Sequence, residues 1–230
     1  MRTQHWLVVA VLVACQSFSV PIQALDTSGL VGDPAAGAFK ADDERCRECH
    51  GDHGEIKTHG SNEATKIPRL AGQHPQYLLK QLRDFASGAR KYDFMNRIAA
   101  DIAAQDAVDI IAHFTRPEFD VRNPKESTDF TDESARANAQ RIYQQGDSAR
   151  GLPSCASCHG ADGRSTVTQP EVVAELIPVV AGQDRYYLQE QLLNWRSGAR
   201  SNSPAGIMNR AVQGLSDSEI NALAIYLEGL

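Results

Sequence analysis

The chain has 230 residues, 42% of them hydrophobic, and carries 23 Lys and Arg against 29 Asp and Glu, a formal charge of −6. That is enough apolar material for one ordinary core or two small ones of about 100 residues each. The acidic balance argues against a nucleic-acid partner, whose phosphates call for a basic surface.

In chain order, the first residues read as an export signal over 1–24. Arg2 gives a basic start, an apolar run follows from Trp6 to Ala14, and Ile22-Gln23-Ala24 offers a small-residue cleavage site. An alternative lies in Leu12-Val13-Ala14-Cys15, which resembles a lipoprotein signal cut before a lipidated Cys15. Either run is far shorter than the roughly 20 residues of a membrane span. With Arg2 removed, the remaining charge is −7. Asp33-Pro34 marks a helix start, a capping residue followed by proline at the first helical position. Cys46-Arg47-Glu48-Cys49-His50 follows, then a loop, Asp52 to Ala64, rich in charge and histidine. A helix is expected from about Pro75 to Ser87, with Leu78, Leu82 and Phe85 on one face and Gly88 as its stop. Arg116 to Ser127 holds Pro117, Pro124 and several charges without apolar period, and a linker is placed at 118–128.

Beyond it the pattern repeats. A helix is expected from Thr131 to near Gly146, then Cys155-Ala156-Ser157-Cys158-His159, then a helix with Leu188, Leu192 and Trp195 on one face, stopped by Gly198. Ser216 and Glu219 stand in capping-box spacing before a last helix that sets Ile220, Leu223, Ala224 and Leu227 on one side. Residues 67–90 laid over 177–200 match at thirteen of twenty-four positions. The second copy then has three extra residues before Met208-Asn209-Arg210, the match of Met95-Asn96-Arg97. Two homologous units, 25–117 and 129–230, follow from this, mostly helical and without strand alternation.

Covalent attachment of haem c needs two thiols placed to meet two vinyl groups and a histidine just after them to reach the iron; Cys-x-x-Cys-His supplies all three. A four-cysteine zinc site does not explain a histidine at the same place in both copies, and a thioredoxin-like pair lacks its βαβ setting. Two covalently bound haem c groups are therefore expected. Apart from the initiator, Met95 and Met208 are the only methionines, at equivalent places. After His159 there is no further histidine, cysteine or lysine, so Met208 is the one conventional sixth ligand for that iron. In the first copy His53, His59, His74 and His113 stand as alternatives to Met95. An axial histidine needs an acceptor for its other ring nitrogen, and the carbonyls of Pro68 and Pro178 are candidates.

With Cys-x-x-Cys-His-Gly in both halves, Ile-Pro-x-x-Ala-Gly-Gln, Tyr-Leu-x-x-Gln-Leu from Tyr77 and Tyr187, Ser-Gly-Ala-Arg and the single methionine of each copy, the sequence resembles the diheme cytochrome c4 family over nearly the whole of the chain beyond the signal segment. The resemblance implies an all-α protein of two tandem class I cytochrome c domains, each wrapped around one covalently attached haem c. It implies thioether links at Cys46, Cys49, Cys155 and Cys158, proximal ligands His50 and His159, and distal ligands Met95 and Met208. The role it implies is periplasmic, with peripheral or lipid-anchored membrane association compatible. Such a protein is an electron carrier, not an enzyme, passing single electrons from a quinol-oxidising complex or dehydrogenase to a terminal oxidase. The competing reading is a diheme enzyme, a peroxidase or sulfur-compound oxidase, which needs one iron with an open position.

Overall fold

The computed structural model describes residues 31–56, 67–120, 132–165 and 177–230. The signal segment with Cys15, most of the loop carrying His59, and the linker beyond Asp120 lie outside them. Among the described residues the chain is helical throughout, with one isolated bridge, Asp147 to Leu152, and no strand.

The first half runs α1 (Pro34–Asp43), α2 (Cys46–His50), α3 (Pro75–Ala86), α4 (Asp93–Asp101) and α5 (Ala104–Phe114). Asp33 caps α1 by accepting from the backbone of Ala35 and Ala36, with Pro34 at the first helical position. α1 crosses α5 so closely that a Cβ on Gly37 would sit 1.9 Å from the Asp109 carbonyl oxygen; glycine is what lets the two backbones touch. α3 packs on α4 and α5. The apolar interior is split: Leu79, Ile102, Ala107 and Ile111 form one cluster, Ala41, Ile110 and Phe114 another.

The second half runs α6 (Glu133–Gln145), α7 (Ala156–His159), α8 (Arg185–Ser197), α9 (Ile207–Val212) and α10 (Asp217–Glu228). α6 starts later than the sequence indicates: its cap is Asp132, which accepts from the Ser134 N–H, and Thr131 lies outside the described residues. Both residue types cap helices, so the sequence alone does not rank them. Around α10 the core is continuous, joining Ile142, Tyr143, Leu188, Trp195, Ile220 and Leu223. The expected capping box at α10 is present, with Ser216 accepting from the Glu219 N–H and the Glu219 carboxylate accepting from Ser216. Gly198 ends α8 at φ 80°, as its place in the repeat indicated.

The halves meet through glutamine. Gln73 accepts from the Val179 N–H at 2.8 Å and donates to the Val179 carbonyl at 3.0 Å; Gln183 does the same to Arg69, at 2.7 and 2.9 Å. The two bonded rings are related by the internal repeat, and each ends on the residue after a repeated proline.

Candidate haem sites

Each Cys-x-x-Cys-His forms one short helical turn, α2 or the segment Cys155–His159, which places the two thiols three residues apart on one side and the histidine beside them. Gly51 and Gly160 end these turns at φ 81° and 80°, a left-handed step that L side chains resist. The chain then doubles back. The Ile56 N–H donates to the His50 carbonyl and the Ser165 N–H to that of His159, while Gly54 accepts from Leu70 and Ala71, and Gly163 from Val180 and Ala181. This brings the prolines over the imidazoles: Nδ1 of His50 lies 3.0 Å from the Pro68 carbonyl, and Nδ1 of His159 lies 3.0 Å from that of Pro178. A carbonyl only accepts, so both rings carry their proton on Nδ1 and keep the Nε2 lone pair available. Burial holds both histidines below the ordinary imidazole range, outweighing the opposite pull of those carbonyls. Burial likewise pushes the Cys46 and Cys155 thiols up to about 11, so neither is a reactive thiolate.

His50 and His159 open onto one cavity of about 1100 Å³ shared by the halves, larger than the roughly 300–1000 Å³ of a single small-molecule site. Met95, in the first turn of α4, and Met208, in the first turn of α9, line it too. So do Leu78, Leu82 and Phe85 of α3 and Leu188, Leu192 and Trp195 of α8, the apolar faces expected from the sequence. Cys46, Cys155 and Cys158 complete the lining, and Cys49 sits half-buried in the same turn as Cys46, just beyond it. Among the described histidines only His50 and His159 reach the cavity. The Nε2–H of His113 donates to the Asp52 carbonyl at 3.0 Å, His74 pairs with Ser165 Oγ at 2.9 Å, and His53 lies 4.2 Å from the Phe119 ring; His59 is outside the described residues. Nor do the two cysteine pairs converge on one zinc: among the described residues no three His, Cys, Asp or Glu side chains form a metal cage.

Two positioning residues went unread in the sequence. Asn96, next to Met95, donates to the carbonyls of Phe85 and Arg90 at 2.6 and 2.8 Å; Asn209, next to Met208, donates to those of Trp195 and Arg200 at 2.7 and 2.8 Å. Each strap ties a methionine helix to the end of the preceding one. The repeated Met-Asn-Arg held the signal, but as a match and not as a contact.

A buried neutral imidazole with its outer nitrogen fixed, paired thiols beside it and a thioether within the same apolar cavity, all occurring twice, define a c-type cytochrome with two haem groups. The cytochrome c family model matches residues 136–230. A cytochrome c4 from Thiocapsa roseopersicina is 33% identical over 87% of this chain and 94% of its own length. A thiosulfate dehydrogenase electron acceptor from Stutzerimonas stutzeri is 32% identical over 98% of this chain and 95% of its own. The crystal structure of reduced recombinant cytochrome c4 from Pseudomonas stutzeri superimposes with a TM-score of 0.70 at 29% identity, covering 87% of this chain and all of that one. The chain belongs to the cytochrome c4 family. It is an electron-transfer protein with two covalent haem c groups, not an enzyme. Among the described residues no helix is long and apolar enough to cross a membrane.

Proposed function

We propose that this protein works in the periplasm, taking single electrons from a dehydrogenase or quinol-oxidising complex and delivering them to a terminal oxidase. Relatives named as thiosulfate dehydrogenase electron acceptors make a thiosulfate-oxidising dehydrogenase the first donor to test. When bound, each haem supplies a one-electron Fe(III)/Fe(II) couple. Cys46 and Cys49, and Cys155 and Cys158, would hold the two groups covalently; His50 and His159 would bind the irons through Nε2, and Met95 and Met208 would each supply a second protein ligand. Pro68 and Pro178 fix the imidazole planes and raise the donor strength of the ring nitrogens. Thioether sulfur favours the ferrous state and so sets a higher potential than a second histidine. With a histidine and a methionine of the chain on each iron, neither would offer a place for substrate. The observation that carries this reading is that both carbonyl-fixed histidines and the methionine of each half line one apolar cavity.

Methionine sulfur gives ferric haem a weak far-red absorption band. The oxidised protein is expected to show two equivalents per chain, and Met208→Ala one, with a lower potential for one haem or binding of carbon monoxide. A single equivalent in the unaltered protein would sink the assignment of Met95, and an unchanged band, potential and carbon monoxide response in the variant would sink that of Met208.

A further inference from the structure

Where the halves join, two guanidiniums lie side by side, and among the described residues their hydrogen-bond partners are neutral. Arg90 donates through Nη1 to Gln81 Oε1 at 2.9 Å, and through Nη2 to the Tyr187 hydroxyl at 2.8 Å and Gln191 Oε1 at 3.0 Å. Arg200 repeats this with the halves exchanged: Nη1 to Gln191 Oε1 at 2.8 Å, Nη2 to the Tyr77 hydroxyl at 3.3 Å and Gln81 Oε1 at 2.8 Å, with Nε donating to Asn202 Oδ1 at 3.0 Å. Each glutamine oxygen thus accepts from both arginines, which makes the pair one unit. Both arginines are buried, 8% exposed, and each lies over an aromatic ring, Phe85 or Trp195.

Two like charges held out of water are costly unless a counter-charge meets them. The nearby Asp84 does not supply it, since it holds Lys80 and the Asn202 amide. Among the described residues the cavity that both arginines line is cationic: Arg69, Lys80, Lys91 and Arg210 join them against Glu190, in a chain whose net charge is negative. The pair also acts on its own surroundings. Burial pushes the Tyr187 phenol up, and Arg90 and Arg200 together more than reverse that, so the site favours negative charge. The group that enters this cavity brings carboxylates, because haem c carries two propionates.

We propose that Arg90 and Arg200 form one counter-charge, shared across the junction, for the carboxylates of both haems, so that the electron affinity of each haem depends on the arginine of the other half as well as its own. The inference rests on the haem placement given above. A positive charge that offsets the carboxylates destabilises the ferric state, which carries one more positive charge than the ferrous; removing it favours the ferric form.

The test is a spectroelectrochemical titration of the intact two-haem protein beside Arg200→Gln, Arg90→Gln and the charge-conserving Arg200→Lys. In either glutamine variant the Fe(II)/Fe(III) ratio at fixed poise is expected to fall at both haems by on the order of tenfold, which is about 59 mV for a one-electron couple. Arg200→Lys should restore most of it. Should the glutamine variants not fold, Gln81→Glu puts a carboxylate of similar size between both guanidiniums and should lower both ratios in the same way. A shift confined to the haem of the mutated half, or none at either, overturns the shared counter-charge. Haem content and the far-red bands are read on the same samples. Two haems with two unchanged bands keep ligation out of the result, whereas one haem or a missing band in the unaltered protein would instead count against the ligand assignment.

Discussion

The two halves reach one architecture by different means. In the second, α6, α8 and α10 close around a single apolar interior in which Ile142, Tyr143, Ile220 and Leu223 are at most 2% exposed. In the first, the apolar residues divide into two smaller clusters, and the crossing of α1 on α5 is held by an ionic clamp. Lys40 bridges Asp106 and the buried Asp109, each at 2.5 Å, while Asp109 also accepts from the Asp33 N–H and from Gln105, both at 2.8 Å. The fold asks only that the terminal helices of each half cross tightly. A glycine contact with a charged clamp and a continuous hydrophobic seam both satisfy it, but they respond differently to acid.

The largest expected effect that would sharpen this contrast is Leu223→Ala. Truncating a side chain 2% exposed inside the continuous core should cost about 2–5 kcal/mol. Native-state hydrogen exchange should place the loss in α6, α8 and α10, with α1 and α5 unchanged; equal loss in both halves would mean that they unfold as one unit. Asp109→Ala comes next, at about 2 kcal/mol, confined to α1 and α5. Burial pushes the Asp109 carboxyl up, but Lys40, the Asp33 N–H and Gln105 outweigh it and leave it below its ordinary value. Its stabilising effect is therefore complete above the unfolded carboxylate range, about 4, and lost as pH falls through the folded value. The difference between the variant and its parent should close in acid. The smallest is Glu219→Gln, about 1 kcal/mol at neutral pH in the second half, since its partner Arg150 is partly exposed and screened. Two bonds from Arg150 lead the causes that hold Glu219 at about 2, so this difference should shrink as pH falls from about 4.5 to 2. A gap that persisted at pH 2 would remove the ion pair from the account.

Those differences were largely hidden in the sequence, while the haem chemistry was legible. In the proposed reading one planar group takes Cys46, Cys49 and His50, so they must follow one another closely, and Met208 stands out by the lack of any rival. The carbonyls of Pro68 and Pro178 could be anticipated because a ligating imidazole needs an acceptor. Ala-Gly-Gln and Ser-Gly-Ala-Arg were visible as repeats, yet their partners lie about 100 residues away: Gln73 meets Val179, and Arg90 meets Tyr187. Identity between the copies hid this, because a residue pairing with the other copy looks the same as one pairing within its own. The clamp at Asp109 was missed for the opposite reason, since it has no counterpart to draw attention to it.

The glutamine rings have a consequence of another kind. Gln73 grips the residue after Pro178, and Gln183 the residue after Pro68, so every bond across these rings is answered by its exchange. An arrangement in which patch i meets patch j and j meets i is the rule for two-fold homodimers. Each half carries both members of the contact, the gripping amide and the gripped backbone, and a half severed from its neighbour would present a surface complementary to itself. The covalent chain holds two such complementary surfaces together permanently and leaves each half free to differ from the other.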